Sequence, residues 1–234
     1  MRAAATALAL AVVALLAAAS VVGLEIGRLP RISDVWPLDL EQPGGWLLDR
    51  QLADLRNDPG LCRSTLRPAV IEATPLPDNP PHGGCGWLVA VDVASVAEAR
   101  LAARPMTCEL AAAIALWMRH VVQPAALSEL GSRVAVVEHL GTYACRNIRG
   151  SPAFANRPSE HASANALDLA AFRLADGRRI TVLGDWGKDD ASGRFLSAIH
   201  AGACRYFRVA IGPAYNAAHR NHFHLDRGRW RACR

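Results

Sequence analysis

The sequence predicts a single α+β domain with a mainly antiparallel sheet and flanking helices. Its 234 residues, 51% hydrophobic and 20% charged, are enough for one core of ordinary size. Short apolar runs bounded by turn residues recur through the second half, and Ala175-Asp176-Gly177 joins two of them as a hairpin tip. One clear helical period and the absence of an internal repeat complete the pattern.

In chain order, Arg2 precedes an uncharged, mainly apolar run over 3–24 that reads as an export signal. Ala17-Ala18-Ala19 suits cleavage, yet the run is also long enough to stay as a membrane anchor. Residues 25–45, with Pro30, Pro37, Pro43 and Gly44-Gly45, read as a linker whose end Trp36 and Leu38 pin to a domain over 46–234. A short amphipathic helix is expected over 46–57, stopped by Asp58-Pro59-Gly60. The proline-rich stretch 75–86 is expected to hold no regular element, and 87–93 to form a strand. After Pro105, Thr107 has the place of an N-cap and Glu109 that of a first-turn acid. Leu110, Ile114, Trp117 and Val121 then follow at steps of four, three and four. That helix is expected to end at Pro124, with Trp117 in the core. Strands follow over 133–139, 166–172, 179–183, 207–211 and 221–225, and a helix over 193–206 carries Phe195, Ile199 and Ala203 on one face.

Six cysteines behind an export signal imply three disulfides, and none lies in a Cys-x-x-Cys pair that would suit a zinc knuckle. Pairing of sequence neighbours is expected: Cys62–Cys85, Cys108–Cys145 and Cys204–Cys233. The net charge of +5 comes from Lys and Arg scattered along the chain, with no basic run interleaved with aromatics, which argues against nucleic acid. A basic exported protein would be attracted to an anionic cell wall.

The chemistry gathers in two short stretches, 159–168 and 219–224. As a strand, 221–226 places His222, His224 and Asp226 on one face and Phe223 and Leu225 on the other. Asp168 interrupts Leu167 and Leu169 with a carboxylate that is costly to bury alone, and His161 lies in a small-residue loop just before it. Two histidines and a carboxylate suit zinc and leave its fourth position for water. A further histidine can carry protons. Histidines also alternate by chance, as His82, His120, His139 and His200 warn, and the spacing alone names no reaction.

The pattern Ser159-x-His161-x-x-Ala164-x-Ala166-x-Asp168, followed by His222-x-His224, resembles the signature of the zinc D-alanyl-D-alanine peptidases. That superfamily also contains lysostaphin-type endopeptidases and the hedgehog signalling domain. More closely, Trp117-x-x-x-Val121-Val122-Gln123-Pro124-Ala125, Tyr143-x-Cys145-Arg146, Ser159-Glu160-His161-Ala162, Asp176-Gly177-Arg178 and Gly212-Pro213-x-Tyr215-Asn216-x-x-His219 resemble the bacterial extensin-like C-terminal domain family over about 38–233. The resemblance implies a hedgehog/D-Ala-D-Ala peptidase-like zinc fold with His161, Asp168 and His224 as zinc ligands. It implies His222 as a catalytic histidine outside the metal, His219 as a further active-site histidine, and Arg146 as a group for a carboxylate or oxyanion. Ala164 departs from the usual glycine. No glutamate base of the Glu-x-x-Trp-His kind is present, so base work falls to His222, with Glu160, a solvent-facing loop acid, as the substitute. Ser159 is expected to cap its loop rather than act as a nucleophile. The implied function is a zinc-dependent hydrolase cutting a peptide bond of peptidoglycan as carboxypeptidase or endopeptidase, with a non-catalytic zinc-containing wall-binding module as the alternative. The implied location is the periplasm or the outer face of the inner membrane, touched only through the N-terminal segment. No oligomeric state is implied.

Overall fold

The expected α+β architecture is present in a computed structural model that describes residues 13–14, 31–149 and 152–234. The expected export signal at 3–24 lies, but for two residues, outside these. The helices are α1 (Ile32–Val35), α2 (Leu48–Asp54), α3 (Pro59–Thr65), α4 (Cys108–Trp117), α5 (Gln123–Leu130), α6 (Val182–Asp185) and α7 (Ala191–Ala203). The strands are β1 (Ile71–Pro75), β2 (Asn79–His82), β3 (Cys85–Trp87), β4 (Ala90–Val96), β5 (Ala99–Thr107), β6 (Val134–Gly141), β7 (Ala166–Leu174), β8 (Arg179–Thr181), β9 (Val209–Ile211), β10 (Phe223–Asp226) and β11 (Ala232–Cys233). The main sheet runs β1-β4-β5-β6-β7-β10-β9-β11, with β8 beside β7, and only the pairs β5–β6 and β9–β11 are parallel.

Several local expectations fail for identifiable reasons. Asp58-Pro59-Gly60 starts a helix instead of only stopping one. Asp58 accepts a hydrogen bond from Leu61 N at 2.8 Å and Pro59 stands in the first helical turn, where its missing N–H costs nothing. The stretch 75–86 contains most of the β2–β3 hairpin. Gly86, at φ 138°, lets the two chains approach where any Cβ would collide with Asn79 O. Strand β5 was not foreseen because its inward residues include Ala99 and Ala103, too small to give a strong alternating signal. Pro124 does not end the central helix. A π-helical turn over Met118–Val122 precedes it, and the helix runs on to Leu130, where Gly131 takes the left-handed conformation at φ 68°.

The core is built around α4, whose ten residues are all at most 1% exposed. The helical unit Cys108–Leu130 is long and apolar enough to span a membrane, but two-thirds of it is buried inside this fold. Trp117 is a core residue as expected. Its Nε1–H donates to Ile199 O at 2.9 Å, and its ring packs against Phe172 and Phe207. Phe195, Ile199 and Ala203 of α7 are fully buried on the face the sequence marked. Leu38 and Leu40 also enter the core, whereas Trp36 stays 59% exposed and is held through its carbonyl, which accepts from Gln51 Nε2 at 2.8 Å.

Only one of the three expected disulfides has the expected partners. Cys204 joins Cys233, but Cys62 joins Cys108 and Cys85 joins Cys145. The reason is packing: α3 lies against the start of α4, and the β2–β3 hairpin folds over the loop after β6. Trp87 meets Tyr143 edge-on at 5.0 Å between centroids, and Pro158 lies beside Gly84. Replacing both Cys85 and Cys145 with alanine should lower stability by about 2–4 kcal/mol, measured by urea unfolding.

A charge cluster, buried at Arg227 and Glu109 and open at its edge, ties the end of β10 to the rest of the fold. Arg227 and Glu109, 1% and 0% exposed, pair at 2.9 Å. Arg56 also reaches Glu109 at 2.8 Å, while Asp49 receives Arg227, Arg208 and Arg231 at 2.9, 3.1 and 2.6 Å. Burial pushes the Asp49 carboxyl up, but Arg208 and Arg227 outweigh it and hold the carboxyl at about 2 against an ordinary 3.8. Its ion pairs therefore contribute fully above pH 3.8 and are lost as pH falls through about 2. Melting temperatures recorded from pH 5 to 2 should fall across that window, and less steeply in Asp49→Asn.

Candidate metal centre

Strands β7 and β10 pair so that His224 stands directly opposite Asp168, while Phe223 and Leu225 face Leu169 and Leu167 in the register. Those four apolar residues are fully buried. Period-two alternation thus sends the apolar side chains to the core and the imidazole and carboxylate to the other face. His161 arrives from a 3-10 turn over Glu160–Ser163. Ser159 caps the turn by accepting from His161 N at 3.3 Å, as expected for a capping hydroxyl, and Ala164 closes it at φ 56°. That left-handed backbone explains why glycine suits the position and shows that alanine can also occupy it.

The donor atoms converge tightly. His161 Nε2 lies 3.1 Å from Asp168 Oδ1 and 3.3 Å from His224 Nδ1, and the last two are 2.9 Å apart. A tetrahedral zinc with ligand bonds of about 2.0–2.2 Å needs edges of about 3.3–3.6 Å, so a few tenths of an ångström of opening suffice. The outer hydrogen bonds decide what these atoms are. His161 Nδ1–H donates to Thr142 O at 3.1 Å, and His224 Nε2–H donates to Asp226 Oδ2 at 2.9 Å. In the neutral tautomers so fixed, both inward nitrogens carry lone pairs and face a carboxylate oxygen. Three acceptors at these distances repel unless a cation joins them. A proton can serve: burial pushes His224 down, but hydrogen bonds to Asp168 and Asp226 outweigh it and raise it to about 9. Asp168 is pushed up by burial yet held far below the ordinary carboxylate range by His161 and His224. A divalent metal fits the same demand with the same three ligands, each steadied from outside in the manner of metal-bound histidines.

Two further imidazoles stand beside the triangle. His222 Nε2 lies 3.6 Å from Asp168 Oδ1, and its Nδ1 is 2.9 Å from Asn221 Oδ1. The His219 ring is 5.2 Å from that of His222 and 6.0 Å from that of His224. Asn216 Oδ1 accepts from both Ala218 N at 3.0 Å and His219 Nδ1–H at 2.7 Å, leaving His219 Nε2 with a lone pair. Burial, and then the neighbouring histidines, hold His219 at about 4; burial also lowers His222. Arg146 donates to Asn147 O at 3.3 Å and is near enough to lower both histidines further. The two stretches singled out in the sequence therefore meet in one place.

Glu160 is not the solvent-facing acid expected. It accepts from Asn165 Nδ2 at 3.2 Å and packs over Gly228. Burial, and then Asp226, push its carboxyl up. The sequence reading gave no role to Asp226, Asn216 or Thr142. Asp226 could have been found, since it follows His224 by two residues on the same strand face. The Thr142 contact uses a backbone carbonyl and leaves no side-chain signal.

The fold and site define an α+β domain with a His-Asp-His cluster on two paired strands, overlooked by two further histidines. The chain belongs to the extensin-like family: residues 60–234 match the model described as extensin-like protein C-terminus. No curated protein and no solved structure matches it.

Proposed function

We propose that the protein is an exported zinc-dependent hydrolase that cuts a peptide bond in peptidoglycan, as carboxypeptidase or endopeptidase. The observation that carries this reading is the triangle of three acceptor atoms from His161, Asp168 and His224, with His219 and His222 beside it. The likeness to the zinc D-Ala-D-Ala peptidases supports the same assignment. Three disulfides suit an oxidising compartment and so support export.

On this reading His161, Asp168 and His224 hold zinc, which would polarise a substrate carbonyl and bring the pKa of a bound water to about 7. His222 takes and returns the proton of the attacking water, its ring held by Asn221. His219 presents its unprotonated Nε2 to the same space through Asn216. Arg146 binds a substrate carboxylate or steadies the developing oxyanion.

The test is digestion of purified peptidoglycan, scored by mass spectrometry for new stem-peptide ends. The wild-type domain should release them, and His222→Ala should bind zinc but lose at least about a hundredfold in rate. A zinc-loaded wild-type protein that releases no new ends would overturn the hydrolase reading and leave the non-catalytic wall module as the alternative.

A further inference from the structure

Stretches of chain that adjoin the residues of the centre are basic, and one of their arginines, Arg146, lies near enough to lower His219 and His222. Three segments adjoin the residues of the centre in the chain: 142–159 leads in sequence to His161, 212–222 carries His219 and His222, and 227–234 follows the strand of His224. None of the three contains an Asp or Glu. Arg146, Arg149, Arg157, Arg220 and Arg229 all lie on them, and none pairs with a carboxylate among the described residues. Within this basic border, Phe154 and Trp230 remain 37% and 56% exposed although they touch each other, with centroids 5.9 Å apart and planes tilted by 36°. The Arg157 guanidinium lies 5.4 Å from both centroids, so cation–π contact fixes the pair on the surface.

We propose that Phe154, Arg157 and Trp230 form a glycan-binding platform that seats a sugar ring of an anionic, peptide-bearing glycan strand beside the centre. The aromatic faces take the apolar side of a pyranose ring, and Arg157 with its neighbouring arginines meets carboxylates on the strand. A single tilted pair of rings does not offer the succession of stacking faces that a nucleic-acid strand uses. The platform deepens the wall-hydrolase reading, and it binds without turnover, so the two can fail separately.

The experiment uses the full exported domain in a His161→Ala background, which keeps the substrate uncut. The probes are intact sacculi, glycan strands freed of stem peptides, a free stem pentapeptide and poly-dT, read by co-sedimentation and by tryptophan fluorescence. The domain should bind sacculi and glycan strands, weakening with salt. Trp230→Ala and Phe154→Ala should each weaken binding about tenfold, Trp230→Phe should restore most of it, and Arg157→Gln should reduce the salt dependence. Unchanged glycan binding in folded Trp230→Ala and Phe154→Ala, with lowered melting temperatures, would reduce the three residues to a structural clasp and overturn the proposal. Tighter binding to poly-dT than to glycan strands would overturn it too. Glycan binding that needs the platform, in a wild-type protein that never cuts, supports the platform and removes only the hydrolase reading.

Discussion

Asp168→Ala is expected to purify without zinc, its affinity falling by more than the roughly 100-fold limit typical of an outer-sphere change. Asp168 Oδ1 lies within 3.1 Å of the inward nitrogens of both His161 and His224. No other carboxylate among the described residues meets both, so on the proposed assignment the variant would lose a ligand and the charge that offsets the cation. Asp226→Asn provides the internal scale. It leaves all three proposed ligands in place but weakens the acceptor that orients His224, and should cost about 10–100-fold in affinity. Competition titrations with a chromogenic chelator rank the two. A larger loss in Asp226→Asn than in Asp168→Ala would reverse the assignment of ligand and support, and no loss in either would place the metal elsewhere.

Glu109→Ala is expected to destabilise the fold by about 3–5 kcal/mol, the usual cost of leaving a buried charge without its partner. Glu109 is fully buried and receives Arg227 at 2.9 Å and Arg56 at 2.8 Å. Arg227 is itself 1% exposed and follows Asp226 directly, so its displacement also disturbs the strand that carries His224. Urea unfolding gives the stability change. Arg227→Met should cost less than Arg227→Ala because it keeps the packing volume, although either leaves Glu109 with Arg56 alone. A change below about 1 kcal/mol in Glu109→Ala, the size found for exposed pairs, would show that water reaches this cluster freely.

Glu109 also shows how far the sequence could be read. Its place after Thr107 marks a helix start, and the helix starts there. The same position suggests an exposed acid near a helix dipole, whereas the side chain is buried against an arginine more than a hundred residues away. Local grammar locates elements but does not name distant partners. The disulfides repeat this lesson, since Cys85 meets Cys145 only because a proline-rich stretch folds into a hairpin over the loop before the site. Pro124 misled for a different reason: a π turn shifts the hydrogen bonds so that proline is tolerated inside a long helix.

The candidate centre was more legible than the fold. Strand alternation places His224 and Asp226 on one face, and the penalty for burying Asp168 alone demands a positive partner. Neither argument needs long-range information beyond the pairing of two strands. The supports were less legible. Asn216 fixes the His219 tautomer across a three-residue turn, and Thr142 orients His161 through its backbone carbonyl. The five arginines that have no carboxylate partner among the described residues carry no local signal at all, because the segments that hold them are far apart in sequence.

The central claim is that His161, Asp168 and His224 hold a zinc ion, and metal analysis of the purified protein beside His161→Ala tests it most directly. Inductively coupled plasma mass spectrometry should find about one zinc per chain in the wild type and almost none in the variant, with both proteins folded by circular dichroism. A wild-type protein free of zinc after purification in its presence, or equal zinc in the two proteins, would contradict it.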